Sequence, residues 1–177
     1  MSNEVSKNIL AFYQGRSPDS SARVLEDLWL WDYQKLEYTH DYIQWLFPLK
    51  EKSRFNRNAP ILNDEVIQSF NTDEQLRLRL RKSLEVMLQF YGLQYNKFDD
   101  KGIEITKSDN YPERKLNWIE EGNHNYLRLT RILTSLRLLG LEYYAQALFK
   151  SLNQIYLEES KKIGSKTYAY WKSAASG

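Results

Sequence analysis

The sequence contains no cysteine, which excludes disulfides, thiolate metal sites and cysteine nucleophiles together. Glycine and proline are scarce, at seven and four, and they fall between stretches of apolar periodicity, which points to helices. Only two histidines are present. There is no glycine-rich phosphate loop, and no serine or threonine lies in a strand-turn-helix elbow, so nucleophilic catalysis has little support and no cofactor is expected. No run approaches the roughly 20 apolar residues of a membrane-spanning helix; the longest candidate, Leu136 to Phe149, is cut by Arg137 and Glu142. Met1 to Asn8 carries charge on both sides of Val5 and lacks the apolar run of a secretory signal. The expectation is a soluble, cytoplasmic protein with no transmembrane segment. A surplus of one charge is missing too: 25 basic and 23 acidic side chains leave +2, which argues against a general nucleic-acid binder. Aromatic residues are the excess, with 13 Tyr, 7 Phe and 5 Trp.

Helices are expected where apolar residues recur at three and four. Ile9, Leu10 and Tyr13 define one over Val5 to Gln14, with Gly15 as its stop. Val24, Leu25, Leu28 and Trp29 form a short apolar face, and Asp32 is placed to cap a helix over Tyr33 to Phe47. That stretch is apolar around much of its circumference, so it reads as central, and Pro48 helps to end it. Lys50 to Ile61 is a basic loop with Lys50, Lys52, Arg54 and Arg57. Asn63 caps a short helix through Phe70, and Thr72 with Gln75 reads as a capping box for a longer one closed by Gly92. Asn96 to Asn117 is the least regular segment, with Asp99, Asp100 and one short strand at Ile103 and Ile105. Two last helices start at Asn123 and turn at Gly140. The expected fold is all-α: a single-domain helical bundle with a central apolar helix and a C-terminal antiparallel helical hairpin. Residues 1–21 are a packed N-terminal helix and turn, 22–160 the domain, and 161–177 an aromatic tail that folds back.

Each histidine follows a glutamate by three positions: Glu37 with His40 and Glu121 with His124. Two such units on helices, joined by further carboxylates, are the ligand set of di-metal bundles. Gly122 and Asn123 set Glu121 before its helix rather than inside it, so no metal is expected, and a metal-dependent or other enzyme using His40 and His124 is kept as the alternative function. Arg77, Arg81, Arg128, Arg131 and Arg137 read as a solvated face with ion pairs such as Arg81 to Glu85 rather than as phosphate ligands. Trp29, Trp31, Tyr33, Tyr38, Tyr42 and Trp45 exceed what one helix pair buries, so some of them are expected to line a groove for a peptide or protein.

The thirteen residues Leu36-Glu37-Tyr38-Thr39-His40-Asp41-Tyr42-Ile43-Gln44-Trp45-Leu46-Phe47-Pro48, with Ser53-Arg54-Phe55-Asn56 and Asn58-Ala59-Pro60, resemble the conserved domain of the opioid growth factor receptor family. Phe90-Tyr91-Gly92, Asn117-Trp118 and Asn123-His124-Asn125 extend the likeness, which spans roughly Ala22 to Leu152. It implies a helical domain found in animal receptors for the peptide Met-enkephalin, which carry long tails, and in single-domain microbial proteins. Without such a tail, this chain resembles a microbial member, whose natural ligand is expected not to be an opioid. No catalytic or ligand residue carries over. The function expected is binding of a peptide or protein segment, not catalysis. The candidate ligand-binding residues are His40, Asp41, Trp45, Arg54 and Asn56, which supply an aromatic face, a guanidinium for a carboxylate and a carboxylate for an amine. The competing reading is that Arg54 and Asp41 pair with each other and pin the loop.

Overall fold

A computed structural model describes residues 2–97 and 102–177, with the side chains of residues 2–7 left outside the description. Asp99 and Asp100, read from sequence as part of an irregular segment, fall outside it as well. The chain divides into two compact units, Met1–Ser83 and Leu84–Gly177.

The first unit holds α1 (Ser2–Tyr13), α2 (Leu25–Trp29), α3 (Tyr33–Tyr38), α4 (Ile43–Leu46), α5 (Asp64–Thr72) and the start of α6 (Glu74–Tyr91). Local capping chemistry sets several boundaries. Asp32 accepts from the Lys35 amide at 2.8 Å to open α3, and Asn63 accepts from Val66 at 2.9 Å to open α5. The core is aromatic: Phe12 meets Trp45 edge-on at 5.3 Å, and Tyr13 meets Phe70 at 5.3 Å. The Tyr13 hydroxyl donates to the Leu46 carbonyl and lies 2.9 Å from the Ser83 hydroxyl, which also accepts from the Trp29 indole. Burial raises the Tyr13 phenol above its ordinary pKa, against a lowering by Ser83 and Arg79.

Two expectations are corrected here. Tyr33 to Phe47 is not one helix: Thr39 is extended, at φ −96° and ψ 128°, and helix resumes only at Ile43. Across the break, Tyr42 donates its hydroxyl to the Leu36 carbonyl at 2.8 Å, while the Asp41 carbonyl accepts from Arg23 and Asn56. Tertiary hydrogen bonds replace the helical ones that a continuous segment would make. The segment is nonetheless central, since every residue from Tyr42 to Pro48 is buried. Likewise, Thr72 does not cap α6. As the last residue of α5 it donates back to the Gln68 carbonyl at 2.9 Å, and Asp73 accepts from the Gln75 amide instead.

The second unit contains the rest of α6, β1 (Leu93–Lys97), β2 (Ile103–Lys107), α7 (Tyr111–Arg114), a 3-10 turn (Lys115–Asn117), α8 (Asn125–Leu138), α9 (Glu142–Ile163) and α10 (Ser165–Ser176). The described residues are thus mostly helical, with a small sheet in place of the single strand read from Ile103 and Ile105. β1 and β2 pair antiparallel, with Leu93 opposite Lys107 and Tyr95 opposite Ile105. Gly92 makes the turn from α6 into β1 at φ +80°; a Cβ there would lie 2.8 Å from the Tyr111 backbone. α8 and α9 form the expected hairpin through Gly140, and α10 packs on both. Trp171 is fully buried and donates its indole to the Tyr126 carbonyl at 3.1 Å, so the aromatic tail does fold back as a helix.

Candidate functional site

The loop after α4 is built by its own side chains. Its ends are clipped together where the Leu62 amide donates to the Leu49 carbonyl at 2.8 Å. Ser53 accepts from the Phe55 and Asn56 amides, and Asn56 accepts from the Asn58 amide at 3.0 Å. The Asn56 side-chain amide then donates to the Asp41 carbonyl at 3.3 Å and to Gln44 at 3.4 Å, while Gln44 donates to the His40 carbonyl. One asparagine therefore straps the basic loop to the segment that leads into α4.

Asp41 is held from the other side. Its partner is Arg23, with Nη1 to Oδ1 at 2.8 Å, and the Ser21 hydroxyl donates to Oδ2 at 3.1 Å. Arg54, the partner considered from sequence, is exposed and does not pair with Asp41. Arg23 also donates Nε to Asp19, whose other oxygen accepts from the Ser21 and Arg23 amides. These bonds hold Ala22 at φ +61°, a left-handed conformation that costs a non-glycine residue about 1–2 kcal/mol. Sequence places a turn at Arg16 to Ser21, but not the reach of Arg23 to Asp41. Partial burial raises the Asp41 carboxyl, but the Arg23 guanidinium and the Ser21 hydroxyl outweigh it and hold the group below the ordinary carboxylate range. Asp41→Asn should therefore cost at most about 1 kcal/mol, because the pair is partly solvated. A depressed carboxyl stabilises the fold above its unfolded-state pKa. The difference between parent and variant should accordingly vanish as pH falls through the folded-state value, as urea unfolding at a series of pH values would measure.

Beside this brace lies a cavity of about 760 Å³ lined by Pro18, Asp19, Trp45, Lys52, Arg57 and Ile61 among others. Trp45 is 3% exposed, and among the described residues its indole Nε1 has no hydrogen-bond partner. Of the five residues named from sequence, Trp45 alone lines the cavity. Asp41 and Asn56 brace its surroundings, and His40 and Arg54 are exposed outside its lining. Lys52 and Arg57 were legible only as members of a basic loop.

The other constellations resolve differently. Glu37 lies on α3 while His40 lies beyond its end, and His124 sits immediately before α8. Neither Glu-x-x-His unit is therefore carried on one helix face, and no group of three or more His, Asp or Glu among the described residues is placed to hold a metal. The arginines are not a simple solvated face. Arg77 donates to the Phe70 and Asn71 carbonyls, Arg128 is buried near Asn125, and Arg137 donates to the Ala174 carbonyl.

The family description "Opioid growth factor receptor (OGFr) conserved region" matches residues 2–173. The chain belongs to this family. It is 38% identical over 145 residues to opioid growth factor receptor-like protein 1 of Mus musculus, covering 80% of this chain and 30% of that protein. The protein of the same name from Xenopus tropicalis is 37% identical over 155 residues, covering 85% and 28%. Opioid growth factor receptor of Homo sapiens is 38% identical over 142 residues, covering 77% and 19%. The chain spans less than a third of the length of these relatives. No solved structure matches it. Among the described residues, no helix is long and apolar enough to cross a membrane. The residues that carry the family likeness include both straps of the site, Asp41 and Asn56, and the Tyr91, Trp118 and Asn125 cluster of the second unit.

Proposed function

We propose that this chain is a binding module that recognises a peptide or protein segment at Trp45. The observation that supports this is the cavity of the first unit and its indole: Trp45 lines it, is 3% exposed, and has no partner for its buried Nε1 among the described residues. A cavity of about 760 Å³ falls within the range of ligand sites, which pair apolar lining with a few placed polar groups. The relatives are named as a receptor and a receptor-like protein, which supports a ligand-binding role. His40 and Arg54, exposed just before the two anchors of the strap, Asp41 and Asn56, supply outer contacts, and Asp41 and Asn56 fix the loop.

The test is an NMR titration of the labelled chain with an enkephalin peptide and with unrelated aromatic peptides. Saturable shifts should centre on the Trp45 indole and the Asn56 side-chain amide. Shifts scattered over the surface and unsaturated at millimolar peptide would overturn the reading.

A further inference from the structure

Resting on that reading, we infer that the Trp45 cavity takes the free C-terminal carboxylate of a peptide, with the terminal apolar side chain packed beside it. The charges of the lining carry the inference. Lys52 and Arg57 are both exposed, and among the described residues neither forms an ion pair. The acidic residue of the lining is Asp19, and its charge is already spent. One oxygen accepts from the Ser21 and Arg23 amides at 2.9 Å, and the other pairs with Arg23 Nε at 2.8 Å. Nearby Asp64 sits 3.4 Å from Lys50. What remains unbalanced on the lining is positive.

An anion alone does not account for the rest of the lining. Pro18, Ala59, Ile61 and Leu62 supply apolar surface beside the two cations. A ligand that satisfies both must carry an apolar body with a carboxylate at one end, as a peptide C-terminus does. A guanidinium such as that of Arg57 can donate two parallel hydrogen bonds to the two carboxylate oxygens. Inorganic phosphate would engage the cations and leave the apolar wall unmet.

The experiment follows the Trp45 indole resonance of the full chain during titration with N-acetyl-leucyl-phenylalanine as the free acid, and separately as its C-terminal amide. The free acid should produce a saturable shift and bind at least about tenfold more tightly than the amide. In the double variant Lys52→Gln, Arg57→Gln, which alters only exposed side chains, the preference should fall to within about twofold. Raised salt should weaken the acid and not the amide. Equal binding of acid and amide at Trp45 would overturn the carboxylate inference and leave the binding reading standing. A Trp45 resonance unmoved by either probe, alongside shifts elsewhere or none, would overturn both.

Discussion

Phe47→Ala should lower the stability of the chain by about 3–5 kcal/mol, the range for truncating a fully buried phenylalanine. Phe47 is 0% exposed and follows directly on α4, where its amide donates to the Ile43 carbonyl at 2.9 Å. Tyr42 to Pro48 is buried throughout, so the lost ring leaves a cavity that the short, hydrogen-bonded segment is poorly placed to close. A control lies in the same family words. Phe55 is 85% exposed on the loop, and Phe55→Ala should stay within about 0.5 kcal/mol of the parent. Urea unfolding monitored by circular dichroism checks both. A Phe47→Ala variant as stable as Phe55→Ala would place this segment at the periphery rather than the core.

A loss of about 3–5 kcal/mol is also expected for Trp118→Ala in the second unit. Trp118 is 0% exposed and stands edge-on to Tyr91 at 5.2 Å, and its indole donates to the Tyr91 carbonyl at 3.0 Å. Tyr91 in turn donates its hydroxyl to the buried Asn125 at 3.2 Å. Ring packing and hydrogen bonding can be separated here. Trp118→Phe restores most of the ring but removes the donor, so it should recover part of the loss and retain a deficit of about 0.5–1.5 kcal/mol from the lost hydrogen bond. Amide hydrogen exchange across α6 and α8 reports the effect directly. If Trp118→Phe matches the parent, the hydrogen bond contributes nothing and packing alone holds the cluster.

Expectation and structure agree at most boundaries whose cause is local, the cap of α6 at Asp73 rather than Thr72 being the exception, and part company where the cause is distant. The caps at Asp32 and Asn63 and the stops at Gly15 and Gly92 each depend on a few adjacent residues, and all four stand where sequence placed them. The Thr39 break does not depend on neighbours alone. Arg23 lies 18 residues from Asp41 and Asn56 lies 15 from it, so no periodicity of the segment reveals that they interrupt it. β1 was missed for a similar reason. Its alternation covers only Leu93–Lys97, and a strand that short is defined by its pairing with Ile103–Lys107.

The candidate site divides the same way. Trp45 and Asn56 were named as candidates within the words of the family likeness, but sequence could not distinguish a residue that lines a cavity from one that braces it. That distinction arises from the Asn56 strap and the Arg23 brace, which bring Pro18 and Asp19 to one cavity with Trp45, Lys52 and Arg57. Taken alone, the amino-acid sequence determined the helical character, the absence of thiol chemistry, the family and the aromatic content of the core. Those properties follow from composition, short-range periodicity and residue identity. Tertiary structure decided which carboxylate meets which guanidinium, where the central segment breaks and which indole is left without a partner, because each of these depends on groups distant in sequence meeting at hydrogen-bond range.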